Sequence, residues 1–298
     1  MNLSARAPAK INRELRVGGF RSDGYHEIRS RIVAIDLADE LEVETGDGNL
    51  ALSCGGLPVP CGESNLVVRA ARALANSLGR TADATIRLEK KIPVGAGLGG
   101  GSSDAARALA LLAQLWDAPS TEEDLRAVAA SLGSDVVFFL VGGEAEVTGR
   151  GEHVTPLPDA RPVDLLVLVP PFSLSTAEVY ATLRRLESQS PSDHRRIPAV
   201  LEVESSQKFF GPNDLALAVL ETNVEMGVLL DSVRSLALES AITGSGSAIV
   251  LVGAAADAQE HLAARHPDAA IFRCRTLTRE EYRLRTESSG GSQWRSPR

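Results

Sequence analysis

Three features of this sequence predict an α+β protein built from two domains that meet near residue 155. Apolar and polar residues alternate through much of the first 45 positions and again over 84–89, placing every second side chain on one face of a strand. Helical stripes follow over 66–78 and 103–116. Near residue 155 the texture changes: Thr155-Pro156-Leu157-Pro158 and Arg161-Pro162 read as a linker, after which strand and helix patterns resume.

In chain order, residues 10–17 and 28–37 form strands around Arg21-Ser22-Asp23-Gly24, since Asp-Gly is a strong hairpin-turn signal. Leu41 and Val43 alternate with Glu40, Glu42 and Glu44, predicting another half-exposed strand before Gly46-Asp47-Gly48. Asn65 caps a helix whose stripe is Leu66, Ala70, Ala73, Leu74 and Leu78, with Gly79 beyond its end. Ala84, Ile86 and Leu88 make a strand that leads through Lys90-Lys91-Ile92-Pro93 into a glycine-rich loop. From Ser103 to Trp116 the pattern is helical and apolar on most sides, the mark of a buried helix. Ser120 or Thr121, with Glu123 or Asp124 three residues on, resembles a capping box, and Gly133 ends that helix. In the second half, 165–169 is a buried strand, Ser175 caps a helix with Glu178 at its third position, 247–252 is a strand and 257–265 a short helix. The domains are therefore 1–155 and 156–285, and the Ser-, Gly- and Arg-rich tail 286–298 is expected to be disordered.

Composition excludes several classes. With 298 residues, 44% apolar and 23% charged, the chain has the balance of a globular protein with a sizeable core. A net charge of −8 argues against wrapping nucleic acid, and any anionic ligand must be held by local donors. No apolar run reaches the roughly 18 residues of a bilayer span, and the N-terminus lacks a signal-peptide core, so the expected location is cytoplasmic with no membrane partner. Cys54, Cys61 and Cys274 make no disulfide framework. His261 and His266 are five apart and share no helix face, so no transition-metal site is expected.

Gly95, Gly97, Gly99, Gly100 and Gly101 crowd one loop immediately before a helix. Such glycine density permits positive φ and close backbone approach, and the helix start turns free N–H groups and a positive dipole end toward a ligand. Together they make an anion cradle, to which Ser102 and Ser103 can add hydroxyls or a ligand for Mg²⁺. A formal GxGxxG match over Gly95, Gly97 and Gly100 is weak, because the acidic residues of 122–124 fall at a helix start and not at a strand end. A P-loop is excluded, as GxxxxGK[ST] is absent.

The whole segment, Pro93-Val94-Gly95-Ala96-Gly97-Leu98-Gly99-Gly100-Gly101-Ser102-Ser103-Asp104, resembles the ATP-binding motif of the GHMP kinases. Further stretches match in order along nearly the whole chain, among them Ala9-Lys10-Ile11-Asn12, Leu132-Gly133-Ser134-Asp135, Asn213-Asp214-Leu215 and Thr243-Gly244-Ser245-Gly246-Ser247. Asp23-Gly24-Tyr25-His26 narrows the resemblance to the branch that phosphorylates the 2-hydroxyl of 4-diphosphocytidyl-2-C-methyl-D-erythritol, CDP-methylerythritol, in non-mevalonate isoprenoid precursor biosynthesis.

The resemblance implies a two-domain α+β GHMP kinase fold, ribosomal protein S5 domain 2-like in its N-terminal domain and ferredoxin-like in its C-terminal domain. It implies an active site between the domains, ATP and Mg²⁺ as cofactors, and a monomer or homodimer. Residues 93–103 would hold ATP. Asp135 would be the catalytic carboxylate and Lys10 its cationic partner; read without the resemblance, they are a helix-cap aspartate and a surface lysine. Asn12, on Lys10's face of its strand, would contact substrate. His26 would hydrogen-bond cytosine and Tyr25 would stack on it opposite Tyr180, although a core tyrosine is a serious competitor at 180. Gly244, Ser245 and Gly246 would support the phosphate site. Three other readings stay open: a GHMP kinase for another small alcohol, a dinucleotide-binding oxidoreductase, and a non-catalytic member that uses the cleft only for ligand sensing.

Three residues depart from the family's pattern. Arg13 and Arg31 stand where uncharged residues are usual, and a buried Arg13 would need a partner that Glu14, on the opposite face, cannot supply. Val137 replaces a customary proline, which is expected to loosen the helix start after Asp135.

Overall fold

The computed structural model describes residues 1–118, 121–189, 208–253 and 256–290. Its first sheet is built from β1 (Asn2–Phe20), β2 (His26–Glu44), β3 (Leu50–Gly56), β4 (Ala84–Lys90), β5 (Glu144–Gly149) and β6 (His153–Pro156). Strand β2 is long enough to change partners: residues 28–33 pair with β5, whereas 40–44 pair with β4. Helices α1 (Leu66–Ser77), α2 (Gly100–Leu115), α3 (Glu122–Leu132) and α4 (Ser134–Val141) complete this half. Helix α2 is central, contacting β1, β2 and all three other helices. Its Ala105, Ala106, Ala108, Leu109 and Leu112 are wholly buried, the small alanines allowing close approach on several sides.

The second sheet is antiparallel, in the order β10-β7-β9-β8, from β7 (Asp164–Val169), β8 (Ser240–Ile242), β9 (Ile249–Val252) and β10 (Ala270–Arg275). Helices α5 (Thr176–Gln189), α6 (Ala216–Thr222), α7 (Glu225–Arg234) and α8 (Ala256–Arg265) accompany it. A shared core joins the halves: Ala9, Ile11, Val33 and Ile35 of the first sheet pack with Leu165, Val167, Val250 and Cys274 of the second. After β10 the chain crosses back. Helix α9 (Arg279–Thr286) buries Tyr282, whose hydroxyl donates to the Phe139 carbonyl at 2.6 Å, and β11 (Ser289–Gly290) pairs with β1.

The α+β expectation holds, with differences of physical origin. Leu41 and Val43 do not make a separate strand; they continue β2, because Ala38 and Asp39 are buried in line with it. Helix α2 begins at Gly100, inside the glycine run. Thr155 and Pro156, read as linker, lie in β6 against β5. Thr121 forms the capping box with Asp124, while Ser120 lies outside the described residues. Residues 286–290 are ordered by pairing and packing, and 291–298 lie outside the described residues. Among the described residues, no helix is long and apolar enough to cross a membrane.

The departures are accommodated in pairs. Glu144, 3% exposed, accepts from Arg13 and from Arg31, each at 2.5 Å. Arg13 also donates to the Phe209 carbonyl at 2.9 Å and lies 4.1 Å from that ring's centroid. The half-buried guanidinium thus has the partner that its own strand lacks. Val137 is a core residue, and α4 begins at Ser134 without a proline.

Candidate active site

Residues 93–99 wrap the start of α2, which has Gly99 as N-cap and no side chain bonded to its first N–H groups. The loop is pinned on both sides: Lys10 N–H donates to the Leu98 carbonyl at 3.0 Å, and Ala248 N–H to the Ala96 carbonyl at 3.1 Å. Gly97 has φ +78°, and a Cβ there would stand 2.6 Å from the Thr243 carbonyl oxygen. Gly99 has φ +71°, and its Cβ would meet the Phe139 ring at 2.9 Å and Lys10 Cγ at 3.0 Å. Glycine is therefore required here by the protein's own packing as well as by any ligand. Around the loop lies a cavity of 360 Å³, with Pro60, Ser64 and Asn65 on its far wall. Ser102 lines it, but Ser103 does not: 1% exposed, its hydroxyl donates to the Pro8 carbonyl at 2.7 Å. The expectation that Ser103 offers a free hydroxyl is corrected accordingly.

Asp135 sits in the first turn of α4, where the helix dipole favours a carboxylate, and its side chain is 39% exposed. The Lys10 ammonium lies 3.6 Å from it and donates to Asn12 Oδ1 at 2.6 Å. Asn12 Nδ2 in turn donates to Ser30 Oγ at 2.7 Å, and its backbone N–H to Thr243 Oγ1 at 2.8 Å. Asn12 therefore orients Lys10, with both ends of its amide engaged inside the protein. Gly244 keeps this corner open, since a Cβ there would lie 3.0 Å from Asn12 Oδ1. The turn 243–247 is itself held by Asn213, whose Nδ2 donates to the carbonyls of Ile242 and Gly244. Ser245 Oγ lies 2.9 Å from Thr176 Oγ1 at the start of α5, whereas Gly246 packs inward toward Leu174.

On the other side of Lys10 and Asp135 opens a cleft of 720 Å³ that reaches Tyr25, His26 and Tyr180. Two of these aromatic side chains pack on one another. His26 stacks with Tyr180, at 5.2 Å between centroids and 28° between planes. Tyr25 is 55% exposed and faces Arg150, whose Cζ lies 5.2 Å from its ring centroid. His26 Nε2 is buried with no partner among the described residues. Burial depresses the His26 imidazole below its ordinary value, so it is neutral at pH 7. Burial, and then the charge of Asp135, pushes the Tyr180 phenol up to about 12. Arg150 and Arg184, which also line the cleft, escaped the sequence reading because an isolated arginine in a loop or on a helix has no signature.

The two cavities share Gly97, Gly99 and Ser102, so the helix start and the Lys10–Asp135 pair meet at one boundary. Among the described residues no group of three or more His, Cys, Asp or Glu side chains would hold a metal on its own.

Residues 65–143, which contain the loop and Asp135, match the GHMP kinases N-terminal domain. The 4-diphosphocytidyl-2-C-methyl-D-erythritol kinase of Delftia acidovorans is 39% identical over 251 residues, covering 82% of this chain and 84% of its own. The enzyme of that name from Deinococcus radiodurans is 39% identical over 260 residues, covering 87% and 86%. The chain belongs to this kinase family. A crystal structure of 4-(cytidine 5′-diphospho)-2C-methyl-D-erythritol kinase superposes with a TM-score of 0.72 at 32% identity, covering 92% of this chain and 98% of that one. The L. major mevalonate kinase solved with R-mevalonate gives a TM-score of 0.68 at 16% identity, covering 92% and 96%, a likeness of fold.

Proposed function

We propose that this protein transfers the γ-phosphoryl group of ATP to the 2-hydroxyl of 4-diphosphocytidyl-2-C-methyl-D-erythritol, releasing ADP. One observation carries the reading: the Lys10–Asp135 pair, 3.6 Å apart, stands where the helix-start cavity meets the aromatic cleft. Free N–H groups at the start of α2 suit phosphate oxygens. Asp135 accepts the hydroxyl proton as that oxygen attacks the γ-phosphorus and the bond to ADP breaks. Lys10, oriented by Asn12, lies beside Asp135 and offsets charge on the phosphoryl group in flight. Mg²⁺ carried on the ATP phosphates would neutralise charge between them. Ser102 and Asp135 are among the oxygen donors lining that cleft, and either would suit a cation keeping water and phosphate as its other ligands.

At the far end, neutral His26 lines the cleft and can hydrogen-bond a cytosine edge, and Tyr180 holds its ring in place. Tyr25 is free to close over the base from the exposed side. The test is ADP release from purified protein with ATP, Mg²⁺ and CDP-methylerythritol, with mevalonate and homoserine as controls. ADP release dependent on the cytidylyl substrate alone is the expected result. Release driven by either control would reassign the acceptor.

A further inference from the structure

Beneath the glycine loop, away from the reacting groups, lies a buried cluster of three charged side chains. Lys90 is the last residue of β4, Asp39 sits in β2, and Asp104 is in the second turn of α2. Lys90 and Asp104 are 3% exposed and Asp39 is fully buried. The Lys90 ammonium donates to Asp39 Oδ2, and to Asp104 Oδ2 at 2.7 Å. Asp39 Oδ1 accepts the backbone N–H groups of Lys91 at 2.5 Å and Ile92 at 2.8 Å, the two residues that lead into the loop.

Both ends of the loop are therefore fastened to one point. Lys90 and Asp104 lie 14 positions apart and bracket it. The ammonium is directly under the helix start, since a Cβ built on Gly100 would lie 3.1 Å from Lys90 Nζ. The loop itself has glycines with no intrinsic preference for one conformation, and its rigidity must come from what surrounds it. Burial pushes the Asp104 carboxyl well above its ordinary value, and neighbouring Asp39 adds to the rise. Burial pulls Lys90 down, but the two carboxylates outweigh it and leave the ammonium firmly charged.

We infer that Lys90 is a positioning residue for the nucleotide: its charge clamps both ends of the glycine loop and holds the N–H groups of α2 in register for phosphate. This rests on the nucleotide reading of the loop and adds a device to it. An alternative role in general stability would loosen both halves of the cleft alike. The clamp acts on ATP alone.

The experiment measures ATP and CDP affinities by calorimetry for wild type, Lys90→Met and the neutral triple variant K90M/D39N/D104N. The triple variant leaves no unpaired buried charge, so it tests the clamp if Lys90→Met fails to fold. In each folded variant ATP should bind about tenfold or more weakly, since small misplacements of binding groups are costly. CDP affinity should stay within about twofold, and kcat at saturating ATP should fall less than KM rises. Unchanged ATP affinity in the folded triple variant, or parallel weakening of ATP and CDP, would overturn the clamp. The ADP-release assay on wild type reports on the acceptor and the ATP titration on the clamp, so the two readings fail separately.

Discussion

Beside the glycine loop most of the protein's polar groups are tied down: Ser103 bonds Pro8, Lys90 bridges Asp39 and Asp104, and Leu98 and Ala96 accept from neighbouring backbone, with Asp104 Oδ1 left without a partner among the described residues. Across the cleft the reverse holds. His26 keeps a buried nitrogen without a partner, Tyr25 stands largely in solvent, and Arg150 and Arg184 rest over aromatic rings. The phosphate side is pre-organised and needs only its ligand. On the proposed reading the aromatic side would be the one a particular substrate completes, because a wrong ligand would leave His26 Nε2 unpaired.

The largest separation between the two sides should come from Asp135→Asn, which keeps the shape and removes the base. A loss of about 10²–10⁴ in kcat is expected, with ATP and CDP affinities nearly unchanged. Equal collapse of ATP affinity in calorimetry would move Asp135 from catalysis to nucleotide binding. Gly97→Ala comes next and strikes the pre-organised side. The new Cβ cannot avoid the Thr243 carbonyl 2.6 Å away, at a φ that side chains rarely adopt. ATP should bind roughly tenfold or more weakly, by the same costliness of misplaced donors. Full retention of ATP affinity would mean that the loop yields easily and is not rigid.

How much of this was readable beforehand follows the same division. The glycine loop is contiguous, and its chemistry is local, so residues 93–102 could be named from sequence. Lys10 and Asp135 come from a strand and a helix far apart in the chain, and only the resemblance paired them. Partners set by folding left no trace: Glu144 for Arg13, Asp39 for Lys90, Thr243 for Asn12. Strand β3 was missed because Leu50-Ala51-Leu52-Ser53-Cys54 has no β-branched residue and lies at a sheet edge. The contact between His26 and Tyr180 has no signature in the sequence, because it joins the start of β2 to a helix far along the chain. Once His26 turns inward to Tyr180, Tyr25 must face out.

On the adaptable side, Tyr180→Ala removes the ring that supports His26. Loss of an aromatic platform next to a base typically costs about 1–3 kcal/mol, so CDP should bind roughly five- to 150-fold more weakly while ATP binding holds. A fall in ATP affinity instead would place Tyr180 with the core of the second half.

The smallest effect concerns the proton on His26. Its imidazole is depressed chiefly by burial, with Arg184 adding to the depression and Glu187 opposing it. The folded protein therefore takes up this proton less readily than the unfolded chain, whose histidine titrates near pH ~6.5. As pH falls through ~6.5 toward the lower folded value, the unfolded state holds more protons and stability declines; above that window the contribution is constant. Urea midpoints should thus drop on acidification from neutral pH, and drop less in His26→Gln, which cannot titrate. An identical acid slope in His26→Gln would assign the loss to carboxylates elsewhere and leave the aromatic cleft indifferent to pH.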